Sequence, residues 1–252
     1  MKMNLTGLLT ALTLSGALAA CPLFAFTTRQ DCANSIHDQI IHDALGNLFT
    51  PANLSIITRS CDSQDKVESE EASDRKRHFQ GDDFRKSFAF MDRQKKLALD
   101  YAATADSNEK DRARALYHLG LVLHTAEDFY SETNYLETAI ARIKRSGRLP
   151  DPYDIEPVDW TKLSADWGSL EHGAEISKAN GDTAEGKMLI GDVTYFAAAK
   201  ELAVKESLRQ WNILETLIKV RYPQRATTIL TALTQASCSP KLDIDKLADD
   251  TP

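Results

Sequence analysis

The two residues in this chain with the clearest capacity for chemistry are a histidine and an aspartate four positions apart, His124 and Asp128. Residues i and i+4 of an α-helix lie on one face, so this imidazole and carboxylate can bind a single metal ion without distorting the backbone. An apolar run from Leu119 to Leu123 precedes them and places the pair next to the core. An unpaired carboxylate would be costly there, and either a metal ion or a buried His–Asp hydrogen bond would remove that cost.

The residues around this pair extend the pattern. Residues 124–135 read HTAEDFYSETNY. This string resembles the H-T-x-x-D-F-Y-S-H-[ST]-N-[WY] motif of the zinc-dependent phospholipase C superfamily, especially its branch with the fungal heterokaryon-incompatibility C proteins. The same broad fold also serves zinc-dependent single-strand nucleases.

Three further segments agree with the family's pattern in type and in order. Residues 36–45, IHDQIIHDAL, resemble its N-terminal T-H-x-x-I-x-x-x-A-L helix. Residues 78–84, HFQGDDF, resemble its H-F-D element, and residues 171–178, EHGAEISK, resemble its H-G-x-x-x-x-K-D segment. The similarity runs from Phe26 to about Leu217. The central motif is fairly specific, whereas the other three gain their weight from their order.

The resemblance implies two or three zinc ions in a helical cleft, a bridging aspartate and a metal-activated water. It makes His124 and Asp128 the leading ligands, with Asp128 as the bridge. The other ligands that it implies are His37, His78, His172 and, through the amine and carbonyl of a mature N-terminus, Phe26.

The chain departs from the family's pattern at three places. Glu132 stands where the family has a histidine; its oxygens can bind zinc, so this is either a substituted ligand or a lost one. Gln80 replaces the aspartate of H-F-D, and Asp82 or Asp83 could stand in for it. The last long helix has no histidine. One zinc position is therefore open to being altered or empty, and a non-catalytic relative stays an alternative.

The expected reaction is phosphodiester hydrolysis of a phospholipid headgroup ester at a membrane surface, in which zinc activates a water molecule. Asp82 or Asp83 would be the general base. The alternatives are a zinc-dependent nuclease on the same fold and a non-catalytic binding or toxin-like protein. The formal net charge of −7 argues against a general nucleic-acid binder, which usually carries a basic patch.

Two other histidines have ordinary interpretations. His118 lies six residues before His124, roughly a third of a turn from its face, and is either a partner of the metal ligands or a core histidine. His42 is five residues after His37 and is expected on the surface.

The elements that would position these residues are helices, because no long apolar/polar alternation indicates strands. The sequence predicts one all-α domain. Its expected helices cover residues 35–48, 82–103, a long stretch from 107 to just before Gly147, 163–179, 193–220 and 225–237. The polar stretch 60–76 and residues 149–160 are expected to be loops.

The N-terminus predicts export. Lys2, an apolar run to Ala20 and small residues after it are typical of a signal peptide over residues 1–25, followed by the helical domain 26–240 and a polar tail 241–252. A lipobox ending at Cys21 competes with cleavage before Phe26, so a secreted or periplasmic protein and a lipid-anchored one both stay open. Of the cysteines, Cys32 and Cys61 are expected to pair, on their proximity in sequence alone.

Overall fold

Helices account for almost all of the regular structure in the computed structural model, which describes residues 35–65, 74–79, 84–160, 170, 177–178, 180–239, 242–243 and 246–247. These residues form seven α-helices and one two-stranded antiparallel hairpin. The prediction of a single all-α domain is therefore confirmed. Within the described residues, no helix combines the length and the apolar character that crossing a membrane requires.

The helices are α1 (Ile36–Leu45), α2 (Pro51–Asp62), α3 (Phe84–Ala102), α4 (Glu109–Glu132), α5 (Tyr135–Arg145), α6 (Tyr195–Arg221) and α7 (Ala226–Gln235). Short 3-10 turns occur at Ser63–Asp65, Arg75–Arg77 and Pro152–Asp154, and the hairpin pairs β1 (Leu189–Ile190) with β2 (Val193–Thr194). Side-chain oxygens of four residues accept hydrogen bonds from the first turns of α1, α2, α4 and α6: Ser35, Thr50, Asn108 and Thr194. These caps satisfy backbone N–H groups that a helix start leaves without a partner.

Helix α4 is the centre of the molecule. Every side chain from Ala115 to Glu132 is buried, and the helix packs against α2, α3 and α6. A helix that is covered on all sides in this way can carry polar groups only where they find partners. The polar residues in its second half therefore mark a site.

Helix α2 approaches α4 closely at Gly120. A Cβ atom at this position would lie 1.9 Å from Ser60 Oγ and 2.4 Å from the Ile57 carbonyl oxygen. Because only glycine leaves this space open, the α2 backbone can rest directly on α4. The contact brings the C-terminal end of α2 beside the polar half of α4.

The element boundaries differ from those expected in two places. Helix α2 was not predicted, and it extends into the stretch 60–76 that was expected to be a loop. The long helix expected from residue 107 ends instead at Glu132, where Thr133 takes an extended conformation (φ −114°, ψ 162°) and α5 starts two residues later.

Other predicted segments lie largely outside the described residues, including the signal peptide over 1–25 and the helix over 163–179. Most of the tail 241–252 does as well, but Leu247 is described, and its side chain is 1% exposed and belongs to the core.

Candidate metal centre

Four segments of the chain meet at one cluster of imidazoles and carboxylates. Helix α1 supplies His37, and the turn after α2 supplies Asp65. His78 follows the Arg75–Arg77 turn, and α4 supplies His124 and Asp128. His37, His78, His124 and Asp128 are fully buried, whereas the Asp65 side chain is 17% exposed. Of these five side chains, only that of Asp65 is in partial contact with solvent.

One set of donor atoms surrounds His124 Nε2. His78 Nδ1 lies 3.0 Å from it and Asp128 Oδ2 lies 3.1 Å from it, and these two atoms are 2.9 Å apart. Asp65 Oδ1 is 3.8 Å from each of the two nitrogens. In a tetrahedral zinc site with bonds of about 2.0–2.1 Å, neighbouring ligand atoms are about 3.3 Å apart. Asp65, His78 and His124 are thus close enough to share a metal ion, and Asp128 Oδ2 lies within hydrogen-bonding distance of both histidines.

The remaining oxygens of the two carboxylates face His37. Its Nε2 atom lies 3.3 Å from Asp128 Oδ1 and 3.7 Å from Asp65 Oδ2. Each carboxylate therefore turns one oxygen towards His78 and His124 and the other towards His37. This is the arrangement in which a carboxylate can bridge two ions.

The carboxylates and imidazoles of the cluster balance one another's charge when histidines are protonated, and a cation could take the place of those protons. Burial alone would raise the pKa of Asp128, but His124, His37 and His78 hold it well below its ordinary value, so the carboxylate is ionised. Burial alone would lower the pKa of His37, but Cys61, Asp128 and Glu127 raise it well above its ordinary value. The buried Asp65 Oδ1 makes no hydrogen bond to any described residue. A metal ion would satisfy that oxygen and take the place of protons on the histidines.

A second ring of residues holds two of the histidines in position. His37 Nδ1 is 2.6 Å from Glu127 Oε2, and the Ser207 hydroxyl donates to Glu127 Oε1 over 2.6 Å. His124 Nδ1 is 3.7 Å from the thiol sulfur of Cys61. In both imidazoles, one nitrogen faces the cluster while the protein holds the other, as is usual for metal-binding histidines.

His78 is positioned by the aromatic residue that follows it. Phe79 has a positive φ of 50° and is fully buried. Its ring packs against four other aromatic rings, with centroids 5.2–6.0 Å away: Phe84, Phe88, Phe129 and Trp160. The aromatic cluster fixes the backbone from which the His78 ring reaches Asp128.

The structure brings together four of the sequence-predicted ligands: His37, His78, His124 and Asp128. Glu132 lies one turn beyond Asp128 and is buried, but its Oε1 accepts a hydrogen bond from the Ser177 hydroxyl over 3.0 Å. Burial and the charge of Asp128 raise its pKa to about 8, so it is a neutral carboxyl group at neutral pH. The other predicted site residues, Asp82, Asp83, His172 and Phe26, lie outside the described residues.

The two histidines with ordinary interpretations are also placed. His118 lies in the core, where its Nδ1 is 2.7 Å from Gln94 Oε1 and its ring is parallel to that of Tyr101. His42 is exposed, as expected.

Three residues of the site were not predicted from the sequence: Asp65, Glu127 and Cys61. Asp65 and Glu127 were not singled out, although Glu127 lies within the central motif. The expected pairing of Cys61 with Cys32 was wrong, because Cys61 is a free thiol packed against His124.

The arrangement can hold one or two metal ions. The donor atoms of Asp65, His78 and His124 lie within 4.8 Å of one another, and so do those of His37, Cys61 and His124. Comparison of the chain with protein-family models, with curated proteins and with solved structures gave no match.

Proposed function

We propose that this chain is an exported, zinc-dependent phosphodiesterase of the phospholipase C type. The observation that carries the proposal is that Asp65 and Asp128 each place a carboxylate oxygen 2.9–3.8 Å from both His78 and His124. The resemblance of residues 124–135 to the family motif supports the assignment of the reaction.

The donor set favours zinc over the other common divalent ions. Calcium and magnesium take oxygen ligands at six or more positions, whereas this cluster offers imidazole nitrogens and carboxylate oxygens in roughly equal number. Zinc accepts such a mixture of nitrogen and oxygen ligands, and the resemblance of residues 124–135 favours zinc over other transition metals.

The residues of the cluster would have different roles, some as metal ligands and others in orienting those ligands. His78, His124, Asp65 and Asp128 would hold one ion, and His37 with the second oxygens of the two carboxylates would hold part of another. Zinc supplies a Lewis acid for a phosphoryl oxygen and lowers the pKa of water towards neutrality. Glu127 orients the His37 ring, and Cys61 orients the His124 ring. Asp65, at the solvent side, lies where a phosphodiester group would enter.

The proposed substrate is the headgroup ester of a phospholipid. The resemblance of residues 124–135 favours a lipid over a nucleic acid, and the formal net charge of −7 argues against a general nucleic-acid binder. A nuclease activity is the alternative that the same metal cluster could support.

Replacing Asp128 tests the metal centre and the reaction together. Asp128→Asn keeps the shape of the side chain but removes its charge and one metal-binding oxygen. We expect zinc content, measured by elemental analysis of the folded protein, to fall, and hydrolysis of a choline phospholipid to drop by more than about a hundredfold. Losing even an outer partner of a metal ligand costs about 10–100-fold.

The matched control is Asp92→Asn, which makes the same change at a side chain that is 76% exposed on α3. It should leave both zinc content and activity unchanged. Full activity of Asp128→Asn would contradict the proposal. Cleavage of single-stranded DNA but not of phospholipid would replace it with the nuclease, and wild-type chain with less than one zinc ion would indicate a binding protein.

A further inference from the structure

The loop after α5 projects from the molecule in a defined shape. Gly147 ends the helix with a φ of 78°, and the Arg148 and Gly147 N–H groups donate to the carbonyl oxygens of Ile143 and Lys144. This is a Schellman motif, which requires a left-handed residue that glycine supplies at low cost. The helix thus stops at a fixed place and the chain turns outwards.

Three contacts hold the rest of this loop. Arg148 pairs with Asp154 across it over 2.7 Å, and the Asp151 carboxylate accepts the Tyr153 N–H over 2.9 Å. The hydroxyl of Tyr135 on α5 donates to the Glu156 carbonyl oxygen over 2.8 Å. The loop is therefore tied to itself and to α5.

The loop presents two large apolar side chains to solvent. Leu149 is 91% exposed, more than any other large hydrophobic residue in the described part of the chain, and Tyr153 is 68% exposed. Leu149 buries almost none of its surface against the protein, and most of the surface of Tyr153 also stays in solvent. A folded chain gains nothing from holding these side chains in water on an ordered loop, so a partner that covers them would stabilise the arrangement.

The same loop and the end of α5 are basic in an acidic protein. Residues 142–154 carry four basic side chains and two acidic ones, whereas the whole chain has a net charge of −7. Both acidic groups are engaged within the loop, Asp154 with Arg148 and Asp151 with the Tyr153 N–H. Arg142, Lys144 and Arg145 lie exposed on the last turn of α5.

We propose that this loop surface, formed by Lys144, Arg145, Leu149 and Tyr153, docks the protein on an anionic phospholipid bilayer. Leu149 and Tyr153 would enter the interfacial layer, and the two basic side chains would contact the lipid phosphates and acidic headgroups. The inference rests on the proposed function, because it supplies the means by which a phospholipase reaches a substrate packed in a membrane.

A bilayer fits this surface better than a protein partner does. Two apolar tips on a projecting loop offer little contiguous apolar area, whereas a stable protein interface buries about 800 Å² on each partner. A lipid surface accepts isolated apolar tips, because each side chain is buried in the acyl boundary on its own. Negative surface charge matches the basic cluster and adds attraction for each lysine or arginine.

Vesicle sedimentation tests the inference without turnover. The full chain carrying Asp128→Asn should bind phosphatidylcholine vesicles that contain phosphatidylglycerol, and should bind pure phosphatidylcholine vesicles much more weakly. Leu149→Ala/Tyr153→Ala should weaken binding by at least roughly tenfold. Lys144→Gln/Arg145→Gln should weaken it roughly twentyfold at low salt, and less at high salt.

Matched controls separate this loop from the rest of the surface. Leu189→Ala/Val220→Ala removes two other exposed apolar side chains, 62% and 75% exposed. Arg93→Gln/Lys96→Gln removes two charges from α3. Both control variants should bind anionic vesicles as the parent does. In the active chain, Leu149→Ala/Tyr153→Ala should lose hydrolysis of vesicles while keeping hydrolysis of a soluble short-chain phosphodiester.

Equal vesicle binding by the loop variants and their controls would overturn the inference, and so would a loop that binds single-stranded DNA or a protein in preference to vesicles. The proposed function has a separate outcome. A chain that binds anionic vesicles through this loop but hydrolyses no phospholipid keeps the inference and loses the phospholipase activity. If the loop variants hydrolyse phospholipid vesicles at the wild-type rate, the phospholipase activity is supported and the docking role of the loop is excluded.

Discussion

At the scale of single residues, the site depends on which nitrogen of each histidine faces the metal. His37 turns Nε2 to the carboxylates because Glu127 holds Nδ1, and His124 turns Nε2 to the cluster because Cys61 lies beside Nδ1. A carboxylate or carbonyl is the usual outer partner of a metal-binding histidine. A thiol in that role is a weaker acceptor, so its contribution comes as much from packing as from hydrogen bonding.

Replacing Cys61 measures that contribution. Cys61→Ala removes the sulfur from beside His124 and frees the ring to turn. We expect zinc affinity, measured by competition with a chromogenic chelator, to fall roughly tenfold. Cys61→Ser, which keeps a hydrogen-bonding group, should lose less.

The control is Cys238→Ala, which removes the other buried thiol among the described residues, 3% exposed and far along the chain. It should reduce thermal stability without changing zinc affinity. If both cysteine variants lower the affinity equally, the effect is a general loss of packing and Cys61 has no orienting role.

The sequence predicted the ligands that obey a local rule and missed the one that does not. His124 and Asp128 follow from helical spacing, and His37 and His78 follow from motif order. Asp65 lies in a polar stretch with several other acidic residues, and nothing local distinguishes it. Only the packing of α2 on α4 selects it, because this contact carries the turn after α2 to within 3.8 Å of His78 and His124.

At the scale of the elements, the contact between α2 and α4 sets the position of half the cluster. Helix α2 escaped prediction because its buried face includes Asn53, Thr58 and Ser60, which interrupt the apolar stripe. Asn53 is buried because its amide donates to the Leu233 carbonyl oxygen and its oxygen accepts from the Cys238 N–H. The start of the helix was readable in principle, since Thr50 and Pro51 are a favoured N-cap and first helical residue.

Gly120→Ala tests the close approach of α2. In an isolated helix, the change from glycine to alanine stabilises by about 1 kcal/mol. Here the new methyl group would meet the Ile57 carbonyl oxygen at 2.4 Å, and backbone cannot move aside as a flexible side chain can. We expect a net loss of about 2 kcal/mol in the free energy of unfolding, measured with denaturant.

Because α2 must move away from α4, Gly120→Ala should also weaken zinc binding. Gly181→Ala is the control, since a Cβ atom there comes no closer than 3.8 Å to the Phe196 ring. A variant at Gly120 that is more stable than wild type would show that α2 adapts without cost.

At the scale of the whole molecule, one buried histidine outside the site links stability to pH. Burial, with Arg114 and Arg93 nearby, lowers the pKa of His118 to about 4, and the ring contacts Gln94 where α3 packs on α4. In the unfolded chain this pKa returns to about 6.5, so the unfolded state takes up the proton first as the pH falls. The contribution is complete above pH 6.5 and is lost as the pH falls towards 4.

We therefore expect the titration of His118 to lower the free energy of unfolding by about 2 kcal/mol when the pH falls from 7 to 5. His118→Gln removes the titrating ring. Its denaturation curves should show a smaller loss of stability over this range than wild type, whatever its stability at pH 7. An identical slope in His118→Gln and wild type would contradict this assignment.

The fold class of the whole molecule was predictable, because helical periodicity is a local property of the sequence. The break after Glu132 was not. The Thr133 hydroxyl donates to the Phe129 carbonyl oxygen over 2.6 Å and accepts the Tyr135 N–H over 3.3 Å. These bonds replace those of a continuing helix, and the burial of the surrounding residues decides between the two.

Position 79 has two requirements, a left-handed backbone and a large buried ring, and no single residue type meets both well. Its left-handed backbone suits glycine and costs a phenylalanine about 1–2 kcal/mol. Its ring fills the space among Phe84, Phe88, Phe129 and Trp160, and deleting such a ring costs about 3–5 kcal/mol. The packing of the ring stabilises the fold by more than the positive φ costs, so phenylalanine is tolerated at this position. The direction of the His78 side chain is thus maintained by the apolar packing of the residue that follows it.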